Sequence, residues 1–258
     1  MSKNIDVRRE TILRMVNQSG SLNFDQLRRA FPDTSDVTLR KDLQYLNDTQ
    51  QAIRIHGGLK SLPRALNYYY RSNVNLDRKD EIAQLAAGLI RPGESVFISA
   101  GTTCADLAKR LPDIHLSVCS DGIYTVTNIS PLSSISVQLL GGDVDLEIMR
   151  VEGLTVLNQL EGMHFSTLFM GAMSADLNYG FFHNSSMTVA ILLKAIEKSD
   201  RVIVLMDSSK VNFTFTPYYI PLSKVDLIVT DHLIDPAFAE AVQARGIELM
   251  WPQRGGIR

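Results

Sequence analysis

The feature that most constrains this chain is an alternation of two hydrophobic periods beginning near residue 80. Short apolar runs at 96–98, 116–118, 136–140, 165–170, 202–206 and 227–229 have the length and composition of strands. Between them lie stretches with helical spacing, near 104–111, 152–161, 186–198 and 236–245. A clear stripe precedes them, made by Ile82, Leu85, Ala86, Leu89 and Ile90 and stopped by Pro92-Gly93. Strands alternating with helices predict an α/β domain, a mainly parallel sheet covered on both faces.

In such a sheet, ligands bind beyond the carboxyl ends of the strands. Ser99-Ala100-Gly101-Thr102-Thr103 leaves the first run and enters a helix, so its N–H groups and hydroxyls suit an anion at a positive helix terminus. The other runs end in Ser120-Asp121, Gly141-Gly142, Gly171-Ala172 and Asp207-Ser208-Ser209-Lys210. Gly and Thr are also common turn and capping residues, so the weight lies in several polar ends gathered by one sheet. His183-Asn184 adds a polar pair whose alternative is a solvated loop.

A chain of 258 residues holds two domains, and we read a head at 1–60, a connector at 61–79, a body at 80–250 and a tail at 251–258. No apolar run approaches the ~20 residues that span a bilayer, and the start does not read as a secretory signal. A cytoplasmic protein without a membrane partner is expected. Cys104 and Cys119 fall in separate elements with no Cys-x-x-Cys or clustered His, which predicts structural thiols and neither a metal nor a cofactor. The formal charge of −2 conceals an asymmetry. Residues 1–79 carry 14 Lys and Arg against 8 Asp and Glu, leaving 12 against 20 for the rest. A basic head on an acidic body suits a polyanion such as DNA, although basic faces also occur on proteins that bind no nucleic acid.

Within the head, Ile12, Leu13 and Val16 mark one amphipathic helix, and a second begins at Asn23 with Leu27 and Phe31 four residues apart. After the turn at Pro32-Asp33-Thr34-Ser35, either Ser35 or Asp36 caps a third helix with a buried stripe of Leu39, Leu43 and Leu46. Thr38, Arg40, Lys41, Gln44 and Tyr45 lie on its other faces. An α-helix fits the major groove, and residues near the N-terminal end of such a helix reach bases and phosphates. The alternative is a solvated helix face. Ala52-Ile53-Arg54-Ile55-His56 then alternates before Gly57-Gly58, as the first strand of a wing with Arg54 and His56 on the face away from Ile53 and Ile55. The tyrosines at 68–70 are expected to pack the connector.

The run from Asp36 to Leu46, followed by Ile53-Arg54-Ile55-His56-Gly57-Gly58, resembles the DeoR family of bacterial regulators over roughly residues 5–60. Gly101-Thr102-Thr103, Leu139-Leu140-Gly141-Gly142, Gly153, Phe169-Met170-Gly171-Ala172, Gly180 and Asp207-Ser208-Ser209-Lys210, with Phe213 nearby, are similar to that family's sensor domain. The resemblance implies a winged helix-turn-helix followed by a body similar in fold to ribose-5-phosphate isomerase. It also implies a repressor of carbohydrate metabolism genes that binds a double-stranded DNA operator through Thr38, Arg40, Lys41, Gln44, Arg54 and His56. Its effector would be a phosphorylated sugar or related metabolite, with Gly101, Thr102 and Thr103 around the phosphate and Asp207 and Lys210 lining the pocket. Ser120, Asp121, Gly141, Gly142, Gly171 and Met173 complete the implied site. The chain departs from the family pattern at Cys119-Ser120-Asp121, where Thr-Asn-Ser is common, and at Met173, where Asp is frequent. Thr188 and Leu192 stand near the usual Glu and Lys of a later helix. Asp121 in the pocket repels an anion unless Lys210 or Arg150 offsets it.

Two other classes are compatible with parts of this reading. A sugar-phosphate isomerase needs a positioned carboxylate base, and Met173 and Thr188 remove the obvious ones. A protein-docking module would use the basic head without DNA. Regulation by a ligand requires unequal binding to DNA-competent and DNA-incompetent arrangements, which predicts a homodimer or homotetramer.

Overall fold

In the computed structural model the described residues are 2–48, 52–61, 68–131, 134–183, 185–211 and 218–252, and the chain divides into two compact units between Asn73 and Val74. Phe213, Asn184 and the side chains of Tyr69 and Tyr70 lie outside the described set.

The first unit runs α1 (Ser2–Ser19), β1 (Ser21–Asn23), α2 (Phe24–Ala30), α3 (Asp36–Asp48), β2 (Ala52–Ile55), β3 (Gly58–Ser61) and α4 (Tyr68–Ser72). The expected stripes meet in one core: Ile12, Leu13 and Val16 of α1, Leu27 of α2, and Leu39, Leu43 and Leu46 of α3. Each fully buried leucine contributes about 1.5–3 kcal/mol. A reciprocal capping box opens α2, with Gln26 N–H donating to Asn23 Oδ1 at 2.9 Å and Asn23 N–H to Gln26 Oε1 at 2.8 Å. At α3 it is Ser35 that caps, its Oγ accepting from Thr38 N–H at 3.3 Å.

The wing is an antiparallel sheet, ordered β1-β3-β2 among the described residues. Its hairpin needs both glycines, for different reasons. Gly57 has φ of 74°, which suits glycine, and a Cβ on Gly58 would lie 2.1 Å from the Leu22 carbonyl oxygen. That close approach lies in the β1–β3 register, Leu22 opposite Leu59 and Asn23 opposite Gly58, while the hairpin pairs Arg54 with Leu59 and Ile53 with Lys60. Arg54 therefore shares the inner face with buried Ala52 and Leu59, while Ile53 and Ile55 are 43% and 40% exposed on the outer face. Alternation separated the two sets correctly, but the apolar pair faces solvent.

The second unit opens with α5 (Leu76–Ala87), β4 (Ser95–Ile98), α6 (Thr102–Ala108), β5 (Leu116–Ser120), α7 (Ile123–Thr127), β6 (Ile135–Leu139), β7 (Asp143–Asp145), β8 (Arg150–Glu152) and α8 (Leu154–Glu161). It continues with β9 (Phe165–Gly171), β10 (Ser174–Asp176), β11 (Gly180–His183), α9 (Ser186–Glu197), β12 (Ser199–Leu205), β13 (Tyr218–Pro221), β14 (Leu227–Val229), α10 (Pro236–Gln243) and β15 (Glu248–Met250). Among the described residues the main sheet has seven strands, all parallel, in the order β15-β14-β12-β9-β4-β5-β6. Strand parity divides its side chains between two cores. Phe97, Leu168, Val202 and Val204 pack on one face with Leu160, Ile191 and Phe238, and Val96, Ile98, Phe169 and Ile203 on the other with Ile82, Ala86 and Leu107.

Within the span read as a connector, Ser61 closes β3, Tyr68–Ser72 form α4, and Leu76–Lys79 form the first turn of α5, where Lys79 is buried. The strand β15, the helix α7, the hairpin β7–β8 and the small antiparallel sheet β10-β11-β13 were not expected. Several of these are only three residues long, too short to display a period.

Candidate functional site

On the first unit, α2, α3 and the wing bring basic side chains together. Arg40 lies with its guanidinium carbon 4.5 Å from the centre of the Phe24 ring, a cation–π contact. Arg54 Nη1 donates to Gln44 Oε1, and Arg54 N–H donates to Asn47 Oδ1 at 2.9 Å, which ties the wing to α3. Arg40, Arg54 and His56 line a cleft of about 380 Å³ with Phe24, Leu43 and Gly57. Lys41 and Gln44 are exposed on the same helix outside the cleft lining, and Thr38 is half-buried in its first turn, bonded to Ser35.

Other cations of this unit serve the fold. Asp42, 1% exposed, accepts from Arg8 Nε at 2.6 Å and Arg9 Nε at 2.8 Å, clamping α1 to α3. Arg9 also covers the Tyr45 ring at 3.7 Å. Arg28 pairs with Asp36, holding α2 to the start of α3. The Arg28 guanidinium lowers the Asp36 pKa, and Asp36 raises that of Arg28. None of these contacts had a signal in the sequence beyond charge.

In the second unit the chain passes from β4 through β5 to β6, then returns to β9 on the other side of β4. The β4–β9 junction is therefore a topological switch point, the position at which open α/β sheets bind their ligands. Polar groups are buried around it: Ser99, Thr102 and Thr103 after β4, Ser120 closing β5 and Asp121 after it, Asp207 after β12, and Arg150 on β8. Asp121, wholly buried, accepts from Ala100 N–H at 2.7 Å through Oδ1. Arg150 Nε lies 3.1 Å from Asp121 Oδ2, an ion pair off the hydrogen-bonding direction, while its Nη2 donates to Ser99 Oγ at 2.8 Å. Arg150 thus provides the offset that Asp121 requires. Ser120 Oγ donates to the Ile98 carbonyl at 2.5 Å and accepts from Gly122 N–H at 2.9 Å, so it joins the ends of β4 and β5.

Beyond β12, Asp207 is the N-cap of a 3₁₀ turn at Ser208–Lys210. Its Oδ1 accepts from Ser209 N–H at 3.2 Å, from Ser209 Oγ, and from Asn75 Nδ2 at 3.0 Å. Lys210 Nζ donates to the Ala172 carbonyl at 2.8 Å, bringing a charge to the end of β9, and stands 4.0 Å from Asp207 Oδ2. Gly171 and half-buried Met173 flank that carbonyl. Asp231 accepts from both Ser208 N–H and Ser208 Oγ, at 2.7 and 2.9 Å.

Gly141 and Gly142 follow β6, one strand spacing or about 5 Å from the end of β5, where Leu140 N–H donates to the Ser120 carbonyl at 2.9 Å, and four spacings or about 19 Å from β12. The Gly141 amide and carbonyl are both bonded to the Gln159 side chain, at 3.1 and 2.9 Å, which anchors α8. Asn75 and Asp231 are the site neighbours that sequence patterns did not single out. Asn75 carries one local signal, a left-handed conformation with φ of 55° that Asn tolerates better than most residues. Burial, then the Asp121 carboxylate, pushes the Cys104 and Cys119 thiols up to about 12, so both stay protonated at neutral pH.

The DeoR-like helix-turn-helix domain matches residues 8–65, and the DeoR C terminal sensor domain matches residues 74–232. The chain belongs to the DeoR family. It is a DNA-binding transcriptional regulator and not an enzyme. It is 27% identical to the HTH-type transcriptional regulator GolR of Listeria innocua, over 93% of this chain and 96% of that protein. Identity is 28% to the HTH-type transcriptional repressor GlcR of Bacillus subtilis, over 93% of both. It is also 28% to the lactose phosphotransferase system repressor of Streptococcus mutans, over 87% of this chain and 91% of that one. Among solved structures, ribose 5-phosphate isomerase A from Methanocaldococcus jannaschii matches 53% of this chain and 55% of its own, at a TM-score of 0.39 and 14% identity. No helix among the described residues is long and apolar enough to cross a membrane.

Proposed function

We propose that this DeoR-family protein is a cytoplasmic, homo-oligomeric repressor of carbohydrate genes, controlled by a small phosphorylated sugar or related metabolite. Operator DNA is held by α3 in the major groove and by the β2–β3 wing beside it. The observation that carries this reading is the convergence of Arg40, Arg54 and His56 on one cleft, with Lys41 and Gln44 exposed along the same helix. Arginine suits both bidentate contact with guanine and contact with phosphate. The repressor names of GlcR and of the Streptococcus mutans relative support the direction of regulation.

The effector lies at the strand ends around the β4–β9 switch point, among Gly101, Thr102, Thr103, Ser120, Asp121, Gly141, Gly142, Gly171, Met173, Asp207 and Lys210. It acts by binding DNA-competent and DNA-incompetent arrangements unequally, and two heads in a homodimer or homotetramer read half-sites about 10 bp apart or a multiple of that. The test is a mobility-shift titration on duplexes selected from a random pool, with sedimentation to give the assembly. Arg40→Ala and Arg54→Ala should each weaken binding, and unchanged affinity in both would overturn the proposed DNA surface.

A further inference from the structure

Two polar atoms at the switch-point end of the sheet are buried side by side without a directed hydrogen-bond partner among the described residues: Asp121 Oδ2 and Arg150 Nε, 3.1 Å apart. Both groups are also tied to the loop after β4. Asp121 Oδ1 takes the Ala100 N–H, and Arg150 Nη2 holds Ser99 Oγ. An amide of the loop after β4 therefore already holds a carboxylate, in the place where an anionic ligand would compete for it. The helix that follows, α6, has seven residues and offers no side-chain cap at Gly101.

A phosphate monoester dianion carries acceptors only. It would satisfy Arg150 Nε but set like charge against Asp121 Oδ2. A hydroxyl is both donor and acceptor, so it can give its proton to Asp121 Oδ2 while accepting from Arg150 Nε–H. We propose that Asp121 and Arg150 are specificity-determining residues of the effector site, forming a subsite for a sugar or polyol hydroxyl and directing any phosphate of the effector away from the loop after β4. The inference rests on the reading that the effector binds at the strand ends. It also gives such a ligand a direction. Lys210 Nζ, bonded to the Ala172 carbonyl beyond β9, lies at the end of a strand two spacings or about 10 Å from β5, enough for a sugar to lie between hydroxyl subsite and ammonium.

The test is a thermal-shift titration of the full chain with three sets of probes: unphosphorylated pentitols, hexitols and aldoses; their monophosphates; and inorganic phosphate. Wild type should respond to a sugar or polyol, phosphorylated or not, and not to inorganic phosphate. Asp121→Asn, which keeps the side-chain size and an acceptor for Ala100, should weaken that ligand about tenfold, the loss of a hydrogen bond to a charged group. Asp121→Ser, which releases Ala100 N–H and Arg150, should gain a response to inorganic phosphate; if it does not fold, Asp121→Asn still decides the matter. Two results overturn the hydroxyl subsite alone. One is saturable binding of inorganic phosphate to wild type that Arg150→Gln abolishes. The other is a ligand whose affinity Asp121→Asn leaves unchanged while Lys210→Ala weakens it. A ligand indifferent to Asp121→Asn, Arg150→Gln and Lys210→Ala alike, or a panel that never shifts wild type, overturns the strand-end site and the subsite with it.

Discussion

Arg40, Lys41, Arg54 and His56 of the head are all exposed, whereas Asp121, Arg150 and Asp207 of the body are each less than 5% exposed. Both units place charge where a ligand is expected, but in opposite states. The head leaves its cations solvated on a helix face and a wing, where they act at long range on a polyanion and are screened by salt. The body withdraws its ionic groups from water and neutralises them against one another, Arg150 with Asp121 and Lys210 with Asp207. A buried, paired site discriminates by hydrogen-bond geometry more than by net charge. Long-range attraction and short-range selection are thus given to different units of one chain.

The comparison breaks most visibly at the body's buried pair. Arg150→Met strands the Asp121 carboxylate in a dry site and should cost about 3–5 kcal/mol of stability in urea denaturation; a loss below about 1 kcal/mol would mean that the pair is not the body's means of holding charge. Asp42 is the head's exception, a buried carboxylate between two half-exposed arginines. Asp42→Ala should lower the stability of the head by about 2–3 kcal/mol, seen as an earlier unfolding step that leaves the body's own transition in place.

Next come the exposed cations. Arg40→Ala, Arg54→Ala and Lys41→Ala should each cost DNA affinity by about 1–3 kcal/mol for a base contact, with a salt slope shallower by about 1 for each phosphate contact removed. Their effect on stability should be small. If one of them unfolds the head instead, its charge belongs with Asp42 and not with the DNA surface. The smallest effect is expected at Glu152, whose pKa is raised by burial first and by Asp145 second. A carboxyl raised in the folded state opposes folding above its ordinary pKa, and the opposition fades as pH falls through the raised value. Glu152→Gln should therefore raise Tm slightly at neutral pH, with the advantage over wild type shrinking on acidification.

Much of the fold could be read directly. The stripes at Leu39, Leu43 and Leu46 and at Ile82 and Ala86 face the cores they predicted, and all six apolar runs of the body lie in its parallel sheet. The ends of those strands were legible for the same reason, since a parallel sheet places every carboxyl end on one edge. The ion pairs were not. Asp42 sits 33 and 34 residues from its two arginines, and of the two cations named as possible offsets for Asp121, Lys210 and Arg150, only the fold shows that Arg150 reaches it. Gly141 and Gly142 stand at the strand end next to Ser120 and Asp121, but sequence carries no lateral order, and only the sheet shows that they lie four strands from β12.

The sequence by itself determined the periods, the start of α2 at Asn23, the turn glycines of the wing and the division of charge between a basic head and an acidic body. Those are local or additive properties, written in spacing and composition. Only the tertiary structure decided which face of the wing looks inward, which cations are engaged by the fold, and that Asp121 and Arg150 meet at the switch point. These depend on strand order, register and the desolvation of particular pairs, which arise only when distant segments pack against each other.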